Sequence, residues 1–183
     1  MPMDAATRGH YLNIHSPDRN VQGSAYSALM EATKQPVGWA YEVWDQLVLA
    51  LGHKEGRTRS IAVQLLCNLA ASDPEHRMLR DFDTLFAVAR DPKYVTARHA
   101  LQASWRIGLV GPKHRARVVK ALAARFEGCA GEKNCTLTRH DIVQCLRLLH
   151  DAVDDPPLRQ MALTLIATEP DPKYRRKYET VWK

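Results

Sequence analysis

The chain has 183 residues, a net charge of +6, 45% hydrophobic and 25% charged residues, which is ordinary for a soluble globular protein and long enough to bury a substantial core. No stretch approaches the roughly 20 apolar residues needed to span a bilayer, and the start, MPMDAATRGHY, lacks the charged-then-apolar layout of a signal peptide, so no membrane partner is expected. Four cysteines without a dense framework suit a reducing compartment, and a cytoplasmic location is the expectation.

Apolar residues recur along the chain at helical rather than alternating spacing. The first clear helix is DRNVQGSAYSALMEA. Trp44, Val48 and Leu51 then share one helical face, with Val43 and Leu47 beside them. Ile61, Leu65 and Leu69 belong to IAVQLLCNLA, which is apolar almost all round and predicts a deeply buried helix. Phe82, Leu85, Phe86 and Ala89 form the next stripe, followed by Val118, Val119, Leu122 and Phe126, and then by Ile142, Leu146, Leu149 and Val153. At the end Tyr174, Tyr178 and Trp182 form an i, i+4, i+8 stripe suited to closing a stack, with Lys173, Arg176 and Lys177 left to solvent. Turn signals separate these segments: SPDRN, GHKEG, SDP, RDPK, GPK, DDPP and EPDPK. No convincing strand remains.

The helices recur in pairs. Second helices are predicted to start near 19, 57, 95, 137 and 174, and first helices near 4, 38, 75, 112 and 157, a period close to forty. VTARHALQ (95–102) resembles LTRHDIVQ (137–144) when Arg98 is laid on Arg139, and RTRSIAVQ puts Arg59 on the same rung. The one long interval coincides with an inserted loop, EGCAGEKNC at 127–135. The tetrapeptide DPKY occurs at 91–94 and again at 171–174, two periods apart, each time between a first and a second helix.

DRNVQGSAYSALMEA and EGRTRSIAVQLLCNLA resemble the second helix of HEAT repeats: an acidic turn residue, then Val, Arg, Ala and Leu at helical spacing. Asp18, Val21, Ala25 and Leu29 match, with Gln22 where Arg is usual; Glu55, Arg59, Ala62 and Leu66 match, with Thr58 in the Val position. In the third copy Asp91 lies seven residues before Arg98 rather than four. The resemblance implies an all-α protein, a right-handed α–α superhelix (solenoid) of about five HEAT-like, armadillo-type helix pairs. It implies one domain over 1–183, with approximate repeats 4–35, 36–72, 73–110, 111–154 and 155–183. It also implies that second helices line the concave face and first helices the convex one.

Two sets of cations are candidate binding residues. Arg59, Arg98 and Arg139 stand at the starts of successive second helices, where arginine's planar fork suits carboxylates or phosphates. In HEAT-like proteins the equivalent residues also stitch neighbouring repeats, and that reading stands beside the first. From Pro92 to Phe126 there is no acidic residue, while Lys93, Arg98, Arg106, Lys113, Arg115, Arg117, Lys120 and Arg125 fall within the stretch. Lys113, Arg117 and Lys120 are spaced i, i+4, i+7 opposite an apolar stripe, so they should face solvent.

Other constellations point away from chemistry. His140 and Cys145 sit about 140° apart around one helix, which opposes a tetrahedral metal site with Cys129 and Cys135. His140-Asp141 and His150-Asp151 are roughly 15 Å apart along the same helix, too far to share an ion. Neither a Gly-rich phosphate loop nor a nucleophile elbow is present. No catalytic residue, metal or cofactor is therefore expected. The expected function is a non-catalytic protein-interaction scaffold with a protein partner. The alternative is a nucleic-acid-binding protein using the basic 93–126 region, resembling the alkylpurine DNA glycosylases, which are built from HEAT-like helices. The binding residues drawn from both readings are Arg59, Arg98, Arg106, Lys113, Arg117, Lys120 and Arg139.

Overall fold

A computed structural model describes residues 2–183. In chain order the helices are α1 (Ala5–Asn13), α2 (Arg19–Ala32), α3 (Ala40–Ala50), α4 (Gly56–Leu69), α5 (Arg77–Ala87), α6 (Tyr94–Ala103), α7 (Trp105–Gly108), α8 (Pro112–Gly128), α9 (Cys135–Val153), α10 (Pro156–Ala167) and α11 (Pro172–Val181). Among the described residues there is no strand, and no helix is long and apolar enough to cross a membrane. Every helix start expected from the repeat register lies within two residues of the observed one.

The acidic turn residues explain why the helices start where they do. Asp4 accepts from Thr7 N, Asp18 from Asn20 N and Val21 N, Asp91 from Lys93 N, Asp155 from Leu158 N and Asp171 from Lys173 N. Each satisfies first-turn donors that would otherwise lack a partner, and replacing such a cap typically costs about 1 kcal/mol. The two DPKY copies are therefore the same device: Asp91 Oδ1 and Asp171 Oδ1 each accept from the amide two residues on, at 2.8 Å in both cases. The DDPP turn works differently. Asp154 closes α9 in the left-handed conformation at φ 46°, its amide donating to the His150 carbonyl.

One expected helix is interrupted. The second helix beginning near 95 is split into α6 and α7 at Ser104, whose hydroxyl donates to the Leu101 carbonyl at 3.0 Å. A serine that bonds back into the preceding turn competes with the helical ladder.

The chain divides into two compact units, Met1–Ala100 and Leu101–Lys183. In the first, α1 packs on α2 and α3 on α4; α2 also meets α4, and α3 meets α5. Second helices thus stack on second helices and first on first. The core holds Trp44, Leu47, Phe82, Leu85 and nearly the whole of α4, as its all-round apolarity predicted. The Trp44 indole donates to Asp81 Oδ2 at 2.9 Å, so the ring is buried without orphaning its N–H.

In the second unit α9 packs against α7, α8, α10 and α11. Its core is Ile107, Val118, Leu122, Phe126, Ile142, Leu146, Leu149 and Tyr178. Val119 and Val153, expected in the same stripes, are only half-buried because they stand at the edge of their helix faces. The terminal aromatic stripe closes this unit. Tyr178 is fully buried and donates to the Thr136 carbonyl at 2.8 Å, and Trp182 is buried against His150.

Candidate functional site

The arginine rungs form a recurring device within the helix pairs. Arg59 Nη1 donates to the His53 and Lys54 carbonyls after α3, at 2.6 and 3.0 Å. Its other face makes a two-pronged ion pair with Asp91, Nε to Oδ2 at 2.5 Å and Nη2 to Oδ1 at 2.8 Å. Arg139 Nε donates to the Phe126 carbonyl in the last turn of α8 at 3.1 Å, and Nη1 pairs with Glu169 at 2.9 Å. Gln22 and Arg175 occupy the same rung. Gln22 Nε2 donates to the Ile14 carbonyl at 2.7 Å and Arg175 Nε to the Glu169 carbonyl at 2.9 Å. Each closes the carbonyl end of a first helix, which leaves acceptors without helical partners. Gln22 thus does with an amide what arginine does elsewhere. Arg98 differs from its rung-mates in being exposed.

These pairs shift the groups involved. Burial works to raise the Asp91 pKa, but hydrogen bonds from Arg59 and the Lys93 amide outweigh it and hold the carboxyl below its ordinary range. Burial works to lower the Arg139 pKa, but the bond to Glu169 together with the charges of Cys135, Cys129 and Glu169 outweighs it and raises the pKa.

The acid-free stretch is less uniformly available than its composition implies. Arg125 is buried and clasped by Glu132 at 2.7 and 2.6 Å, pinning the inserted loop. Arg115 faces Asp155 at 3.6 Å. The Arg106 guanidinium lies 4.9 Å from the Trp105 ring centroid. Lys113, Arg117 and Lys120 are exposed along α8, as their spacing predicted.

A concave feature of the first unit lies on residues of α2, α4 and α6 and the turn before α6. A cavity of about 580 Å³ is lined by Tyr26, Ser60, Gln64 and His99, with Arg57, Lys93 and Val95 at its margins and Ile61, Tyr94 and Thr96 completing it. Arg57, Ser60, Ile61 and Gln64 are spaced i, i+3, i+4, i+7, which places them on one face of α4.

A hydrogen-bond chain crosses this face. The Tyr26 hydroxyl donates to Gln64 Oε1 at 2.8 Å. Gln64 Nε2 donates to the Ser60 carbonyl at 3.0 Å and to Ser60 Oγ at 3.3 Å. Ser60 Oγ lies 2.5 Å from His99 Nδ1. Which of the two carries the shared proton follows from the imidazole tautomer, since the Ser60 hydroxyl can accept from Gln64 and either donate to or accept from His99. The chain satisfies polar groups on three second helices while leaving the space above them open.

The margins are fixed by close packing. A Cβ at Gly56 would stand 2.7 Å from Lys93 Cδ and 2.8 Å from Thr96 Oγ1, so glycine allows the start of α4 to approach that of α6. Thr96 Oγ1 donates to the Gly56 carbonyl at 3.1 Å across this gap. Arg57 reaches the other way, its Nη2 donating to the Arg19 carbonyl at 3.4 Å.

The second unit carries a smaller cavity of about 370 Å³, lined by Gln102, Asp141, Gln144, Cys145, Arg147, Leu148 and Val181. Gln102 Nε2 donates to Asp141 Oδ1 at 3.0 Å, and Arg147 is tied to Asp151 and to the Val181 carbonyl. All four cysteines are buried, and none forms a disulfide. Burial and the neighbouring Cys135 thiol push the Cys129 thiol up to about 12, and burial pushes Cys145 up to about 11. Among the described residues no group of three or more His, Cys, Asp and Glu side chains could hold a metal ion.

The sequence matches no family model and no curated protein. Its fold is similar to an engineered protein solved by a structural genomics consortium, at 15% identity and a TM-score of 0.52, covering 98% of this chain and 88% of that one. Two designed armadillo repeat proteins are similar at lower scores. One, in complex with a (KR)4 peptide, is 13% identical with a TM-score of 0.48, covering 98% of both chains. The other is 14% identical with a TM-score of 0.46, covering 94% of this chain and 96% of that one. The helix pairs and the first of these likenesses define the class by fold alone: an all-α protein of repeated helix pairs.

Proposed function

We propose that the chain is a non-catalytic protein-interaction scaffold that docks a partner on the α2–α4–α6 face. The observation that carries this reading is the open cavity of about 580 Å³ on three successive second helices, floored by a hydrogen-bond chain that already satisfies itself. Stacked helix pairs leave long surfaces of this kind, which repeat proteins use for binding. The lining mixes aromatic rings, aliphatic side chains and polar groups, as the centre of a protein interface does. Four buried thiols outside any disulfide support a reducing compartment, and we place the protein in the cytoplasm.

The test is capture of a partner by the full chain and by a Val95→Arg, Gln64→Ala variant whose fold is verified by circular dichroism. A partner identified with the wild type and lost with the variant supports the reading. A partner held equally by both overturns it. So does tight duplex binding that falls steeply between about 50 and 200 mM salt, with no protein retained.

A further inference from the structure

We infer that the α2–α4–α6 groove selects an extended acidic segment of its partner, about five or six residues long. This rests on the docking role proposed above and adds the chemistry of what docks. The groove is bordered by two cations, Arg57 and Lys93, and no carboxylate is among its lining residues. Neither cation makes an ion pair among the described residues. The nearby carboxylate of Asp91 has only 4% of its side chain exposed and is spanned by the Arg59 fork, so its charge is cancelled within the protein.

Both cations are held in place. Arg57 bonds the Arg19 carbonyl on the α2 side of α4. The Lys93 stem packs on Gly56 on the α6 side, at the distance a Cβ there would contest. The two charges therefore flank α4. Neighbouring helices lie about 8–10 Å apart, so three of them present a track of about 16–20 Å, which an extended chain crosses in five or six residues at about 3.3 Å each.

Beside the charges and the polar floor the lining carries apolar side chains. Val95 is 62% exposed beside Lys93, and the Tyr26 and Tyr94 rings and Ile61 lie alongside. Such a surface fits a segment that interleaves glutamate or aspartate with aliphatic side chains. It fits a nucleic acid poorly, because a strand carries a phosphate at every nucleotide and two cations leave most of them unmatched.

The test uses three fluorescein-labelled octapeptides and the full chain, read by anisotropy: alternating glutamate and leucine, and the same peptide with lysine or with serine for each glutamate. The acidic peptide is expected to bind best, and Arg57→Glu and Lys93→Glu each to weaken it about tenfold or more. Lys113→Glu and Lys120→Glu, on α8, are expected to leave it unchanged. Both groove cations are at the surface, so the variants should fold, which circular dichroism checks. Preference for the lysine or serine peptide, lost on Val95→Arg, overturns the acidic selectivity and leaves the docking role standing. Acidic-peptide binding that Arg57→Glu and Lys93→Glu leave intact overturns the inference. Loss on Lys113→Glu instead overturns both, by moving the binding surface to α8.

Discussion

Arg59 in the first unit and Arg139 in the second occupy the same rung of their helix pairs, yet they are spent differently. Arg139 and Glu169 are sealed, with 10% and 3% of their side chains exposed. Arg59 and Asp91 keep slightly more contact with water, 13% and 4%, and stand next to an open groove. Around its rung the first unit leaves a polar face uncovered. The second unit covers the equivalent region with Tyr178 and Trp182 and ties its cation Arg147 to Asp151 and the Val181 carbonyl. A single repeat register can thus carry one rung sealed within its unit and another that stands beside the proposed binding face.

Removing the two arginines should separate these roles most strongly. Arg139→Leu strands the Glu169 carboxylate in the core and is expected to cost about 3–5 kcal/mol. Arg59→Leu should cost less, about 1.5–3 kcal/mol, because Asp91 keeps the Lys93 amide. Urea denaturation midpoints measure both, and a reversed order would break the comparison.

Two glycines sharpen it next. A Cβ at Gly108 would meet Leu149 Cδ1 at 2.8 Å and Cδ2 at 2.9 Å, inside the core of the second unit. Gly108→Ala is therefore expected to destabilise by about 1–3 kcal/mol through overpacking. Gly56→Ala meets the movable end of Lys93 and the Thr96 hydroxyl instead. It should cost about 1 kcal/mol, the worth of the Thr96 hydrogen bond, while weakening groove binding by displacing Lys93. Thermal melts combined with peptide titration distinguish the two.

Titration adds a smaller dependence on pH in both units. Asp81 and Asp91, in the first unit, are held below the ordinary 3.8, Asp81 chiefly by Arg80 and Asp91 by Arg59 and the Lys93 amide against its own burial. The stability they contribute is present above that value and lost as pH falls through their lowered folded pKa values. In the second unit Cys129 and Cys145 rise from 9.0 to about 12 and about 11, both through burial, and burial raises Tyr178 as well. Buried neutral, these groups contribute stability fully below about pH 9, and it is lost as pH climbs through their raised values. Tyr11 shifts the same way in the first unit. Replacing both cysteines with alanine should flatten the decline in urea midpoint between about pH 8 and pH 10.5. An unchanged slope would contradict the assignment. The smallest effects belong to α8: Lys113→Ala and Lys120→Ala should move stability by less than about 0.5 kcal/mol.

Most of the fold was legible because helical repeats repeat their punctuation. The Asp caps, the apolar stripe of α4 and the two DPKY turns all follow from short-range chemistry visible in the chain. The break at Ser104 was not, since it depends on a buried hydroxyl turning back to Leu101 rather than on a proline or glycine. The rung arginines were found as a set, but their uses were left open, because the partners of Arg59 and Arg139 lie 32 and 30 residues downstream. Gln22 was legible as the residue standing where Arg is usual, whereas Arg175 was missed although its spacing carried the signal. The groove was missed for a related reason. Tyr26, Ser60, Gln64 and His99 are unremarkable singly and join only across helices 38 and 39 residues apart. Lys113, Arg117 and Lys120 stand out in the sequence because they fall in an acid-free stretch, while Arg57 and Lys93, which line the groove, are joined to it only by the fold.

The most direct test of the central claim is a two-dimensional NMR titration of the full chain with the glutamate–leucine octapeptide. The account predicts shift changes centred on Tyr26, Ser60, Gln64, Val95 and His99, with α8 silent. Changes confined to Lys113–Lys120, or none at a peptide concentration that saturates anisotropy, would contradict it.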